Sequence, residues 1–267
     1  MALLPVLSKI CEKCILDGIY NFVKEHIYPL QHGFMHGRST VTQLLDVYNY
    51  VNTRLDSGSQ IDLIFLDFSK AFDSISHKLL IFKLRKFGIS GKILKWMSNY
   101  LLDRLQCVAV EGFESDLCHI TSGVPQGSLL GPFLFLLYIN DLPKCIYDPI
   151  KVALFADDAK VYGDVVDDED QLNINIQLEN VYKWSQIWKM NFNAPKCYVL
   201  SISNKKKLIK PCYMLGSEIL SEVCEFVDLG VKVDKKLSWS RHITDIKAKA
   251  IRNLNYGIYP CISRTHA

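Results

Sequence analysis

Residues 153–161, ALFADDAKV, decide how this chain reads. They set Asp157 and Asp158 side by side between two short runs, 152–156 and 160–163. Both runs are apolar or β-branched enough to form a tight hairpin with the acidic pair at its tip. Two carboxylates held together repel: at ~4 Å and an effective dielectric near ~20 the penalty is ~4 kcal/mol. A rigid turn that carries such a pair commonly offsets the repulsion with a cation. The alternative is a solvated polar turn, because Asp is a common turn former.

Upstream, residues 61–77 read IDLIFLDFSKAFDSISH, and Leu63, Ile64, Phe65 and Leu66 make an unbroken apolar run. Its length suits a strand buried on both faces. Asp67 stands where the run stops, placed either to meet another strand's turn or to cap a following helix. Between these two elements lies SGVPQGSLLGP, residues 122–132, a Gly- and Pro-rich loop. It leads into FLFLLYIND, residues 133–141, which Pro132 can open as a helix in its first turn. Gly123 and Gly127 let a backbone approach a ligand where a Cβ would obstruct.

An Asp-ended strand, a Pro-Gln-Gly loop feeding a helix and an Asp-Asp hairpin, in that order, is the layout of a polymerase palm. The chain closely resembles the reverse transcriptases of non-LTR (LINE-type) retrotransposons, particularly animal elements of the jockey kind. The likeness covers nearly its whole length. LLPVLSKICEK (3–13) and QHGFMHGRST (31–40) resemble the fingers motifs, and DFSKAFDSISH resembles motif A. SGVPQGSLLGPFLFLLYINDL resembles motif B, FADD motif C and WSQIWKMNFNAPKC (184–197) motif D. FVDLGVKVDKKLSWSRHI (226–243) resembles the primer-grip region and the segment C-terminal to it. Reverse transcriptases of group II introns are a second candidate. They more often carry Tyr before Ala-Asp-Asp and Thr in place of Val124, so Phe155 and Val124 argue against them.

The resemblance implies an α+β polymerase right-hand fold: an antiparallel-sheet palm backed by helices, helical fingers and a truncated thumb. Fingers would occupy 1–60 with a hairpin region at 103–122, the palm 61–233, and the start of an incomplete thumb 234–267. The implied reaction is RNA-directed DNA polymerisation, a nucleotidyl transfer from dNTP to a primer 3′-hydroxyl. Its partners would be an RNA template, a DNA primer and dNTP. Two Mg²⁺ ions, with Mn²⁺ as a substitute, would serve Asp67, Asp157 and Asp158, hard oxygen donors suited to such cations, with the Phe68 carbonyl as a further ligand. These three carboxylates are therefore expected to converge closely enough to share a metal.

Other roles are implied residue by residue by the same likeness. Phe72 matches an aromatic that blocks a ribose 2′-hydroxyl, or it is ordinary core. Arg38 matches a fingers contact to the triphosphate, where a guanidinium fork suits phosphate oxygens, or it is a surface Arg at a helix start. Gln126 and Gly127 match positions lining the nascent base pair and template. Lys196 matches a lysine that protonates the leaving pyrophosphate, or it is a strand-edge Lys. Leu229 and Gly230 match the primer grip, although tight strand packing explains that Gly equally well. The family normally carries an Arg-Pro-Ile-Ser stretch before the first motif, an upstream endonuclease domain and a Cys/His-rich tail, none of which is present in these residues. A core that binds RNA–DNA hybrid without efficient extension, and a non-functional relic, are thus the competing readings. Cytoplasm and nucleus are the locations that the resemblance implies.

At 267 residues, with 49% hydrophobic and 22% charged residues, the composition is that of a globular protein with a substantial core. No apolar run is long enough to cross a bilayer, and nine scattered cysteines suit a reducing compartment. Cys11 and Cys14 form a C-x-x-C inside a helical run, where buried thiols are expected rather than a metal site. Net charge is +3, but residues 205–267 hold twelve Lys or Arg against six Asp or Glu, a basic part that suits phosphate contact. The lysine run at 205–207 reads as a solvated hairpin tip, and the acidic stretch 164–170 as a surface loop without a role.

Helices are expected over 7–28 and 40–55, then from Ser76 to Gly88 and from Ser90 onward, with both serines as caps. Residues 107–110 and 117–121 read as a hairpin. Ile174, Leu178, Val181, Trp184 and Trp188 mark one face of a helix under the sheet. Residues 198–203 and 226–233 complete the strands. The final helix, 241–257, is expected to turn Ile243, Ile246, Ala250 and Leu254 inward and Lys247, Lys249 and Arg252 outward.

Overall fold

Strand β1 (Gln60–Leu66) is the spine of the molecule, and all seven of its residues are buried. The structure is a computed structural model that describes residues 4–102, 104–205 and 207–262, of which 255–262 as backbone alone. Leu3 of the first fingers motif, Asp103 of the hairpin region, Lys206 of the basic run and residues 263–267 of the expected thumb lie outside the described residues. β1 lies antiparallel between β7 (Asp158–Val165) and β8 (Tyr198–Ile202). β6 (Lys151–Phe155) pairs antiparallel with β7, and the short β11 (Ser221–Glu222) runs parallel to β8. The five-stranded order is β11-β8-β1-β7-β6.

Strand alternation sends Ile64 and Leu66 to one face of this sheet and Ile61, Leu63 and Phe65 to the other, and each face has its own core. The first face is covered by α1 (Val6–Val23), α3 (His77–Lys86), α4 (Gly91–Leu101), α5 (Leu130–Ile139) and α6 (Asp168–Trp188). α5 is apolar all round, which fits a helix buried on every side. The second face carries α2 (Thr40–Asp56) and a separate hairpin of β12 (Glu225–Asp228) and β13 (Val231–Asp234). Three further pairs stand outside this sheet: β2 (Leu105–Gln106) with β5 (Cys118–His119), β3 (Ala109–Val110) with β4 (Phe113–Glu114), and β9 (Met214–Leu215) with β10 (Glu218–Ile219). α7 (Ser240–Ile262) comes after β13. Among the described residues no helix is long and apolar enough to cross a membrane.

Several local expectations need correction. The 103–122 region pairs β2 with β5 and β3 with β4, so its register differs from a pairing of 107–110 with 117–121; the turn falls at Glu111–Gly112, both at positive φ. Residues 226–233 form two strands, because Leu229 and Gly230 adopt φ of 46° and 88° and reverse the chain. Ile243, Ile246 and Leu254 on α7 are exposed rather than inward: helical spacing makes a stripe but does not supply its cover. Cys11 and Cys14 are likewise exposed, since α1 buries only Glu12, Ile19 and Val23. Ser76 and Ser90 occupy N-cap positions without making side-chain capping bonds. Of the lysine run, Lys205 and Lys207 lie in the loop between β8 and β9, not at a hairpin tip. The acidic stretch does have a structural task. Asp167 accepts hydrogen bonds from the Glu169 and Asp170 N–H groups, and 168–170 place negative charge at the positive end of α6.

Candidate active site

Register brings the acidic residues together. β1 pairs Leu66 with Ala159 of β7 and Phe65 with Tyr198 of β8. One residue further along the β7 ladder sets Asp67 opposite Asp158; on the other side β8 begins at Tyr198, and Lys196 lies in the short helical turn 194–196 that leads into it. Phe155 pairs with Asp158, so the hairpin turns on Ala156 and Asp157, with Ala156 at a left-handed φ of 53°. The Asp67 N–H donates to Cys197 Sγ at 3.3 Å, and its carbonyl accepts from the Asn193 N–H at 2.8 Å. Successive carbonyls of an extended chain alternate, so the Phe68 carbonyl is turned away from Asn193, to the side of the acidic turn.

The three carboxylates feel one another. Burial, and then the charge of Asp67, push the Asp157 carboxyl above its ordinary value, against a hydrogen bond to its own backbone. Crowding by protein atoms, and then the charge of Asp157, push Asp158 up to about 6, although its side chain is still open to solvent and Lys160 pulls the other way. Burial and the neighbouring carboxylates thus both disfavour the ionised forms of Asp157 and Asp158. Among the described residues, however, no three His, Cys, Asp or Glu side chains close into a metal cage. The three carboxylates therefore do not converge closely enough to share a metal by themselves, contrary to expectation, and form an open set of oxygen donors instead. Such a set fits Mg²⁺, which is held through one or two carboxylates plus substrate phosphates rather than by all-protein cages.

Two clefts meet at Asp67 and Lys196. The larger, about 690 Å³, is lined by Asp67, Phe68, Phe72, Gln126, Gly127, Asp157 and Lys196, among others. The smaller, about 90 Å³, lies between Asp67, Asp158, Lys160 and Lys196 on one side and Phe226, Asp228 and Leu229 on the other. Phe72 stacks on Phe135 at 4.6 Å and meets Phe34 edge-on at 6.3 Å, half-buried with its remainder toward the large cleft. The loop before α5 is zipped to residues 72–77. The Val124 N–H donates to the Phe72 carbonyl, the Gly123 N–H to that of Ile75, and Gln126 Nε2 to Asp73 Oδ1 at 3.0 Å. Gly123, at φ 85°, is required there: a Cβ would stand 2.8 Å from Asp73 Cα. Gly230 has open space around its Cα, so its turn and not tight packing explains it. Arg38 lines neither cleft; its Nη1 donates to the carbonyls of Pro29 and Gln31.

Three supports escaped sequence reading because their partners lie more than a hundred residues or a whole element away. Gln31 Oε1 accepts from the N–H groups of Gly33 (2.8 Å) and Ala156 (3.0 Å), and the His32 N–H donates to the Leu154 carbonyl. Gly33 lies so close to the acidic turn that a Cβ would meet Ala156 N at 2.2 Å. The only advance signal was the glycine within QHGF. Glu12, 2% exposed, accepts from the Leu129 N–H and the Tyr100 hydroxyl, both at 2.8 Å, and so caps the N-terminal end of α5 from α1. Lys160 and Asp228 form a buried ion pair, with the Tyr48 hydroxyl also donating to Asp228 at 2.8 Å. Burial holds Lys160 below the ordinary lysine value while Asp228 pulls it back.

A family model described as "Reverse transcriptase (RNA-dependent DNA polymerase)" matches residues 1–242. The RNA-directed DNA polymerase from mobile element jockey of Drosophila melanogaster is 29% identical over 258 residues, which are 92% of this chain and 28% of that protein. Its counterpart from Drosophila funebris is 30% identical over 259 residues, again 92% and 28%. The chain therefore spans a little over a quarter of the length of these relatives. Among solved structures, apo telomerase from Candida tropicalis without its C-terminal domain superimposes with a TM-score of 0.56 at 13% identity, over 86% of this chain and 43% of that one. That likeness carries the fold: a sheet antiparallel except for its short edge strand β11, backed by helices and arranged as in a right-hand polymerase.

Proposed function

We propose that this chain, which belongs to the reverse transcriptase (RNA-dependent DNA polymerase) family, is the polymerising core of a non-LTR retrotransposon protein and extends a DNA primer on an RNA template. The observation that carries the reading is the meeting of Asp67, Asp157, Asp158 and Lys196 at one end of a buried sheet, between two clefts. The family uses divalent metal ions. Two Mg²⁺ ions, or Mn²⁺ in their place, would be held by the three carboxylates with the Phe68 carbonyl, and would supply charge to activate the primer 3′-hydroxyl and stabilise the departing pyrophosphate.

The remaining residues bind, orient and exclude. Lys196, exposed and bordering both clefts, is placed to give a proton to the pyrophosphate. Phe72, braced by Phe34 and Phe135, would exclude a ribose 2′-hydroxyl. Gln126 and Gly127 would line the nascent base pair, and the Leu229–Gly230 turn would let a primer backbone approach. Arg38 would reach a dNTP only after leaving the Pro29 and Gln31 carbonyls. In this reading 1–60 and the 103–122 hairpin act as fingers, 61–233 as palm and 234–267 as the beginning of a thumb, in a protein that works in cytoplasm and nucleus.

Primer extension on poly(rA)/oligo(dT) with dTTP and Mg²⁺ tests the proposal. Extension by the folded chain, abolished in Asp157→Asn, is the expected result. A folded chain that binds the hybrid without extending it would leave only a hybrid-binding module, and extension that survives Asp157→Asn would remove the acidic turn from the chemistry.

A further inference from the structure

We infer that Lys160, Asp228 and Tyr48 form a buried tether that fixes the Leu229–Gly230 turn against the acidic turn, acting as positioning residues. The inference rests on the reading of this site as a nucleotidyl-transfer centre. Lys160 lies two residues beyond Asp158 on the same face of β7, and register pairs it with Phe65. Asp228 immediately precedes the Leu229–Gly230 turn. Lys160 Nζ lies 2.6 and 2.7 Å from the two Asp228 oxygens, with side-chain exposures of 1% and 3%. The Tyr48 hydroxyl, from α2, completes the carboxylate's partners.

Stability alone does not account for this arrangement. Removing two charges from water is costly, and well-packed apolar residues of similar volume commonly serve a fold as well. The hairpin already has an apolar anchor, since Phe226 stacks on Phe65 at 3.9 Å. Stacked rings set a separation but tolerate sliding in their plane; a carboxylate bound through both oxygens does not. The pair therefore determines where along the sheet the hairpin stands. The small cleft has Asp158 and Lys160 on one wall and Asp228 and Leu229 on the other, so a slide of the hairpin changes the space between the two turns.

The decisive variant is Lys160→Met/Asp228→Leu, which removes both charges and keeps the volume. Its melting should stay near that of the natural chain, while hydrogen exchange at 225–234 should quicken about tenfold or more with β1 unchanged. Single-nucleotide extension should slow about tenfold to a hundredfold, as expected for misplaced reacting groups, with hybrid affinity within a factor of about two. Lys160 also lies near Asp158, so Tyr48→Phe, which keeps both charges, should show the same changes at smaller size. Unchanged exchange at 225–234 in either folded variant overturns the tether, whether or not the chain polymerises. Should the double variant not fold, Tyr48→Phe decides by the same exchange measurement. A natural chain that extends no primer defeats the reading of the site instead, and the exchange data still decide the tether.

Discussion

Two hairpins of this molecule have similar tips and opposite circumstances. The β6–β7 hairpin turns at Ala156–Asp157 and the β3–β4 hairpin at Glu111–Gly112, each entered by a non-glycine residue at φ near 50°. At the first tip, Gln31 binds the Ala156 N–H, Gly33 lies against it, and Asp67 stands on the adjoining strand. At the second, Val108, Val110 and Phe113 face solvent, Phe113 at 82% exposure. Local chemistry makes both turns. Only contacts from distant segments give one of them a fixed place, and only that one carries paired carboxylates.

The contrast can be broken most severely at Asp157. Asp157→Asn should lower single-turnover extension by about three orders of magnitude or more, the usual scale for losing a group that acts on the reacting atoms. Glu111→Asn, which alters an acidic residue at the tip of the free hairpin, should leave the rate unaltered. A next test uses glycine. Gly33→Ala should destabilise the fold by about 2–3 kcal/mol in urea unfolding, because the added methyl meets main chain rather than a movable side chain. Gly112→Ala, with nothing near its Cα, should cost only the strain of its positive φ, about 1 kcal/mol. Equal losses at the two sites would erase the distinction between a held and a free turn.

Titration sharpens the same point on a smaller scale. Asp158 is held near pH 6, above an ordinary carboxylate near 3.8, so between those values the folded chain binds more protons than the unfolded one. Its contribution to stability is full below about pH 4 and is lost as pH rises through 6. Asp158→Asn should therefore raise the metal-free unfolding free energy at pH 7–8, by no more than about 1 kcal/mol because the side chain is solvent-screened, and the gain should vanish at pH 4. A loss of stability at pH 7 would mean that the acidic turn is not under repulsion. The smallest effect belongs to the free hairpin, where Phe113→Ser should stay within about 0.5 kcal/mol in the same unfolding assay.

What could be read in advance was whatever one segment carries alone. The unbroken 63–66 run signalled a strand buried on both faces, and the glycine loop before α5 lies where its residues suggested; the acidic hairpin forms one residue earlier than expected, turning at Ala156–Asp157 with Asp158 already in β7. Nothing in QHGF beyond the presence of a glycine announces that Gly33 lies against the Ala156 backbone. Nothing local in Glu12 announces that it caps α5, and Lys160 and Asp228 look like ordinary surface charges until the fold closes over them. Errors came from the same source. The stripe on α7 has no cover among the described residues, and the pairing within 105–119 cannot be read from its sequence because no buried face constrains its register.

The most direct measurement is a crystal structure of the chain with an RNA–DNA hybrid and dNTP, grown with Mn²⁺ and read by anomalous scattering. The expected result is Mn²⁺ on the carboxylates of Asp67 and Asp157, with the hybrid's primer terminus in the cleft beside them. Anomalous density elsewhere, or a hybrid bound away from the acidic turn, would contradict the assignment of this end of the sheet to catalysis.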